Sequence, residues 1–166
     1  MTTDQKGTIA ETSIIAAAVK LGVDVYRPVA EGGRYDLILD VGSKLIRVQC
    51  KWAVRHGDVV LVRPYSCRRT RTGLKRKSYT AEQIDAFSAY CLELDRCWFL
   101  PIEDFPRSAG IHLRLSEARN GQRLRINWAD DFDFAAKLRS LGAVAQLGER
   151  LAGSQKVRGS SPLGSI

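Results

Sequence analysis

Apolar and polar positions alternate along several short stretches of this chain, a pattern that predicts β-strands. The clearest stretch is Leu45–Trp52. Its even positions from Ile46 to Trp52 are apolar, whereas Gln49 and Lys51 occupy alternate positions. Because residues i and i+2 of a strand point to the same face, Gln49 and Lys51 share the face opposite the apolar row. Less regular patterns predict further strands at Val23–Val29, Tyr35–Val41, Val59–Arg63 and Cys97–Pro101.

Apolar residues recur at helical spacing near the N-terminus, where Thr8 is the predicted N-cap and Gly22 the predicted end. Glu11 lies three residues after Thr8, as in a capping box, and shares the helix face that meets the sheet. Glu11 therefore has two compatible interpretations, a capping residue and an active-site acid. Further helices are predicted at Ala81–Leu94 and Phe132–Leu141. This order of elements predicts an α/β fold with a central mixed β-sheet flanked by helices.

The net charge of +8 favours polyanionic partners, and most of the excess lies in one segment. Between Arg55 and Tyr79 the only acidic residue is Asp58. After the predicted strand Val59–Arg63, we expect this segment to form a basic loop that contacts nucleic-acid phosphates, and the alternative is a solvated, mobile loop. The cations expected to bind nucleic acid are Arg63, Arg68, Arg69, Arg71, Lys75, Arg76 and Lys77.

The cysteine and histidine content argues against a structural zinc site. The chain has four cysteines without a CxxC pair, and His56 and His112 are its only histidines. Reduced thiols are typical of the cytoplasm, where we expect this protein. No signal peptide and no membrane-spanning apolar run is visible.

Four side chains suggest a metal-assisted hydrolytic site. Mg²⁺ prefers hard oxygen ligands, which Asp36 and Glu11 supply as carboxylates and Gln49 as an amide carbonyl. Lys51 can orient an attacking water or stabilise charge in the transition state. Each residue alone has an ordinary interpretation. Asp36 could be a turn aspartate, and Gln49 and Lys51 could belong to an exposed strand face. The order of helix Glu, strand Asp, hairpin and Gln-x-Lys makes coincidence much less probable.

In this order, the motifs resemble those of the PD-(D/E)XK nuclease superfamily. Tyr35-Asp36 stands in place of Pro-Asp, and Gln49-Cys50-Lys51 stands in place of (D/E)-x-K. The Gln-x-Lys form resembles that of intron-encoded homing endonucleases, as do the segments Tyr79–Phe87 and Cys97–Pro101. The resemblance extends over about Lys6 to Pro101 and implies a restriction-endonuclease-like core.

The resemblance implies a Mg²⁺-dependent DNA endonuclease of the homing type, with Glu11, Asp36, Gln49 and Lys51 in its site. Cutting both strands of a duplex needs two sites, so we expect a homodimer or homotetramer. Two alternatives stay open, a Holliday junction resolvase-like nuclease and a catalytically silent nucleic-acid-binding module, which the neutral Gln49 leaves plausible. Tyr79 and Asp85 are expected near the site, although packing and exposed roles are equally compatible with them.

The C-terminus differs in character from the rest of the chain. We expect residues 1–140 to form the nuclease-like domain and residues 141–166, rich in Gly and Ser, to be a disordered tail. Codons for 144–150 can be chosen as GTA GCT CAG CTG GGA GAG CGC, which resembles a tRNA D-arm. Codons for 159–162 can be chosen as GGT TCG AGC CCC, which resembles a T-arm. The hypothesis is that the reading frame enters a tRNA gene, which would lie in or beside the DNA target.

Overall fold

The computed structural model describes residues 1–30, 32–42, 44–71, 73–106, 108–117 and 124–143, with the backbone alone at positions 68, 69 and 74. Of the predicted tail, residues 141–143 are helical, and the remainder lies outside the described residues. None of the described helices has the length and apolar character needed to cross a bilayer.

The first helix, α1, spans Thr3–Lys20 and starts earlier than predicted. Thr2 is its N-cap, and Gln5 completes a reciprocal capping box with Thr2. The prediction that Thr8 caps the helix was wrong, because Thr8 lies inside it and donates its hydroxyl hydrogen bond to the Asp4 carbonyl. Gly22 follows the helix with φ +74°, as a helix end requires.

The strands form one large sheet and one separate hairpin in the described part of the chain. The strands are β1 (Asp24–Tyr26), β2 (Leu37–Val41), β3 (Lys44–His56), β4 (Val59–Val62), β5 (Tyr65–Thr70), β6 (Gly73–Ser78), β7 (Ala86–Cys91), β8 (Arg96–Pro101) and β9 (Ile111–Arg114). The order in the large sheet is β1-β2-β3-β4-β9, and β7 pairs with both β3 and β8. The β3–β7 pair is parallel and the other pairs are antiparallel, so the predicted mixed sheet is confirmed.

Strand β7 occupies the middle of the segment Ala81–Leu94, where a helix was predicted. All six of its residues are buried, including Ser88, whose hydroxyl donates to the Trp98 carbonyl. A strand that is buried on both faces has no polar alternation, so its apolar run cannot be distinguished from a buried helix by periodicity. The prediction of a helix was therefore wrong here.

The large sheet has an apolar core on each face. Ile46, Val48 and Cys50 of β3 pack on one face with α1 and with a second helix, α2 (134–143). Gln49 and Lys51 share the other face with Ala53, which belongs to the second core. The predicted division of β3 into an apolar face and a Gln-x-Lys face is confirmed.

Most of the basic segment that was predicted to be a loop forms β-strands. Strands β5 and β6 pair in an antiparallel hairpin, which we call the basic hairpin (Tyr65–Ser78). Its cationic side chains follow one another with no apolar alternation, so the strand pattern was invisible in the sequence. Arg71 lies at the turn, and Arg63 lies between β4 and β5.

Candidate active site

Asp36 contacts the Gln-x-Lys motif directly. Its backbone N–H donates to the Val48 carbonyl at 2.9 Å, which places Asp36 beside β3 just before β2 begins. Its carboxylate oxygen Oδ2 accepts a hydrogen bond from the Cys50 backbone N–H at 2.8 Å and another from the Gln49 side-chain amide. Burial raises the pKa of Asp36, while the Cys50 N–H and the Lys51 charge oppose that shift.

Lys51 projects from the same strand towards the basic hairpin. Its Nζ donates to the Tyr65 backbone carbonyl and to the Tyr79 hydroxyl, at 3.3 Å in each case. Burial lowers the pKa of Lys51 to about 8, although the Asp36 carboxylate opposes this shift. The ammonium group is therefore partly desolvated and within electrostatic reach of the Asp36 carboxylate, as expected of a functional lysine.

Glu11 approaches the site from α1. Its carboxylate forms an ion pair with Arg27, with 2.9 Å between Oε2 and the guanidinium nitrogen. Burial raises the pKa of Glu11, the nearby Asp36 charge raises it further, and Arg27 opposes both effects. The structure thus brings Asp36, Gln49 and Lys51 into one cluster and places the Glu11 charge within electrostatic reach of Asp36.

The donor set of this cluster suits a hard divalent cation. The charge of Asp36 adds to burial in raising the pKa of Glu11, whereas burial is what raises the pKa of Asp36. The two partly buried carboxylates therefore lie close enough to repel each other. A cation between them would relieve this repulsion, and carboxylate and amide oxygens are the ligands that Mg²⁺ takes. Among the residues that the structure describes, no group of three or more His, Cys, Asp or Glu side chains is arranged to hold a metal. A cation here therefore depends on the Gln49 amide or a backbone carbonyl for further protein ligands.

The predicted nucleic-acid-binding cations extend from this site along the basic hairpin. The side chains of Arg63, Arg71, Lys75, Arg76 and Lys77 are exposed. Those of Arg68 and Arg69 lie outside the described part of the structure. Lys75 and Lys77, together with Arg34, line a groove of about 380 Å³ that reaches Tyr79. This cationic path therefore leads from the hairpin to Tyr79, whose hydroxyl accepts the hydrogen bond from Lys51.

Several contacts at the site were not predicted from the sequence. Arg27 pairs with Glu11 across 16 positions, and Arg34 lies 4.0 Å above the Tyr79 ring. Tyr65 accepts the Lys51 hydrogen bond through its backbone carbonyl, and the type of residue at that position does not predict such a contact. Tyr79 lies at the site as expected, whereas Asp85 contacts Arg47 and carries a structural ion pair.

The sequence and the fold assign the chain to a known class. The family model of the PD-(D/E)XK endonuclease matches residues 1–135, so the chain belongs to the PD-(D/E)XK endonuclease family. No curated protein matches the chain.

Among solved structures, the chain is similar to the bacterial homing endonuclease I-Ssp6803I. The identity is 27% and the TM-score 0.68, and the match covers 90% of this chain and 97% of that one. The predicted restriction-endonuclease-like fold and the predicted nuclease family are thereby confirmed.

Proposed function

We propose that this endonuclease is a homing-type enzyme that uses Mg²⁺ to cut both strands of duplex DNA at a specific site. The observation that carries the proposal is the contact of Asp36 with Gln49 and the Cys50 N–H, beside Lys51 on the same strand. The similarity to a homing endonuclease over nearly the full length of both chains supports the specific type.

The site residues have distinct roles in this proposal. Asp36 and Glu11 would hold Mg²⁺, and Gln49 would present its amide oxygen as a neutral ligand. When bound, the ion activates water and neutralises charge on the phosphate oxygens. Lys51 donates hydrogen bonds to the attacking water or to the phosphate oxygen that gains negative charge. Its partial burial strengthens that interaction, because the local dielectric is lower than that of water.

The DNA backbone would follow the cationic path. Exposed Lys75, Arg76 and Lys77 of the basic hairpin can each neutralise a phosphate without a folding penalty. Arg76 stacks 4.8 Å from the Tyr65 ring, which limits its motion and favours a defined contact. Arg63, Arg68, Arg69 and Arg71 belong to the same proposed interface.

The test is a cleavage assay with Mg²⁺ and three substrates: a plasmid carrying the tRNA gene, a random plasmid and a four-way junction. We expect double-strand cutting at one site of the first plasmid. Asp36→Asn and Lys51→Ala should abolish cutting, whereas Asp40→Asn in the strand that follows Asp36 and Lys44→Ala in the strand of Lys51 should not. Junction-only cutting would indicate a resolvase. Binding without cutting, unchanged by Lys51→Ala, would indicate a silent binding module.

The proposed target is a tRNA gene that contains or adjoins the 3′ end of the coding sequence. The possible D-arm and T-arm codons for 144–150 and 159–162 support this proposal. The nucleotide sequence of the gene decides the matter, because codons that cannot form tRNA arms would overturn it.

The active assembly is proposed to be a homodimer or homotetramer, since each active site cuts one strand. Light scattering of the protein bound to its DNA target would measure its size, and a complex with a single protein chain would contradict this proposal. We also propose a cytoplasmic location, which agrees with free thiols at all four cysteines. Detection of the protein in the cytoplasmic fraction of its host would test that location.

A further inference from the structure

The ammonium group of Lys51 is held at the base of the basic hairpin. Tyr65 is the first residue of β5, and Tyr79 directly follows β6. Lys51 therefore donates to the chain at both ends of the hairpin, once to a backbone carbonyl and once to a hydroxyl. A lysine side chain has four rotatable bonds, so fixed acceptors decide where its amine lies.

Tyr79 is itself firmly placed. Its side chain is 8% exposed, and its ring meets Phe87 edge to face at a centroid distance of 5.5 Å. Arg34 covers the ring and is anchored by hydrogen bonds to the Ser78 carbonyl (2.6 Å) and to the Gln83 side chain (2.9 Å). Since the ring is fixed on both sides, the hydroxyl is a rigid acceptor for Lys51.

We propose that Tyr79 is a positioning residue for the hydrolytic reaction, whose hydroxyl holds the Lys51 amine at the scissile phosphate. The inference rests on the proposed function, because it assigns Tyr79 a role only if Lys51 takes part in cleavage. The ring serves packing, and the hydroxyl serves Lys51 in addition to a hydrogen bond with the Ser66 side chain. These two roles can be separated experimentally.

Tyr79→Phe separates them, since it keeps the ring contacts with Phe87 and Arg34 and removes only the hydroxyl. At saturating DNA and Mg²⁺ we expect the single-turnover cleavage rate to fall roughly tenfold to a hundredfold, as for a misplaced reacting group. The DNA dissociation constant should not change when it is measured in the uncleaving Asp36→Asn background. A structural defect would instead weaken binding and lower the melting temperature.

Tyr90→Phe is the matched control. Tyr90 is 5% exposed, and its hydroxyl donates to Asp95 at 2.9 Å. Its ring packs in the α1-side core, on the face of the sheet opposite Lys51. The variant loses a hydroxyl from a similarly buried tyrosine, and we expect it to cleave at the wild-type rate.

The outcomes distinguish this inference from the function on which it rests. A wild-type protein that cuts no DNA overturns the proposed function and this inference with it. If the wild-type protein cuts and Tyr79→Phe cuts equally fast, the inference alone is overturned. The same holds if Tyr79→Phe and Tyr90→Phe slow cleavage equally, or if the loss appears only in DNA affinity.

Discussion

The side-chain amide of Gln49 donates a hydrogen bond to the carboxylate of Asp36. In the usual family motif an acidic residue occupies the position of Gln49. A carboxylate there would lie directly against the Asp36 carboxylate and would repel it. The amide therefore stabilises the acid without needing a cation, and it removes one negative charge from the site.

Gln49→Glu should exchange that hydrogen bond for repulsion. Without Mg²⁺ we expect a loss of about 1–3 kcal/mol in the free energy of unfolding, because an accepted hydrogen bond is lost beside a like charge. With Mg²⁺ the variant should recover stability and bind the ion roughly tenfold more tightly, since the ligand set gains a charge. Thermal unfolding and calorimetric titration measure both effects. The control Gln5→Glu adds the same charge remote from the site, and it should neither lower the free energy of unfolding nor increase the affinity for Mg²⁺. Unchanged Mg²⁺ affinity in Gln49→Glu would contradict the proposed site.

The basic hairpin should set the salt dependence of DNA binding. Removal of two exposed cations by Lys75→Ala with Lys77→Ala should reduce the slope of log K against log salt by about 0.9 for each lost phosphate contact. Fluorescence anisotropy from low to moderate salt measures the slope. The control double variant, Lys20→Ala with Lys44→Ala, removes the same charge elsewhere and should leave the slope of log K against log salt unchanged. Equal slopes for both double variants would exclude the hairpin from the interface.

The ion pair of Arg47 with Asp85 should make stability depend on pH. Arg47 donates to both Asp85 carboxylate oxygens, at 2.8 Å and 3.0 Å. The hydrogen bonds from Arg47 lower the pKa of Asp85 in the folded chain. A group with a lowered folded pKa stabilises the protein above its unfolded pKa, and this contribution is lost as the pH falls through the folded pKa.

Asp85→Asn should therefore destabilise the protein near neutral pH by about 1 kcal/mol, the screened value of a partly exposed pair. The difference from the wild type should begin to shrink as the pH falls below about 4, where the carboxyl becomes protonated in the unfolded chain, and should vanish only at the lower pH at which the folded carboxyl is protonated. Chemical denaturation at pH 7 and at pH 3 tests this expectation. Asp131→Asn, which changes an exposed carboxylate elsewhere, should follow the wild type, and a constant Asp85→Asn difference across this range would contradict the pairing.

The four thiols should react at very different rates. Cys67 is exposed, whereas Cys50 and Cys91 are buried. Burial raises the pKa of Cys97 to about 12 and that of Cys91 to about 11, so neither forms much thiolate at pH 8. Iodoacetamide at pH 8 should modify Cys67 first, and Cys67→Ser should remove the fast phase in mass spectra. Rapid modification of Cys91 would show that its strand opens readily.

The sequence predicted those parts of the fold in which one face is polar. Gln49 and Lys51 alternate with apolar residues at strand spacing, so both the strand and its functional face could be predicted. Strand β7 could not be predicted, because burial on both faces removes the alternation of apolar and polar residues. The two strands of the basic hairpin were not predicted for the opposite reason, since exposed cations on both strands leave no apolar face.

The candidate site was predictable to the same extent. Asp36 and Lys51 belong to a motif with fixed spacing, and that spacing brought them together. Arg27 and Arg34 could not be found in this way, because long-range contacts of arginine depend on the path of the chain between elements. Every residue has a backbone carbonyl, so the sequence cannot show that the carbonyl of Tyr65 is the one that accepts a hydrogen bond from Lys51.

The basic hairpin forms its own two-stranded sheet, and the hydrogen bonds of the Lys51 amine lie at its base. Under the proposed function, substitutions near its turn, at residues such as Arg71, would change the contact with DNA and leave the Lys51 contacts in place. The preference for a DNA target could then change during evolution independently of the catalytic chemistry.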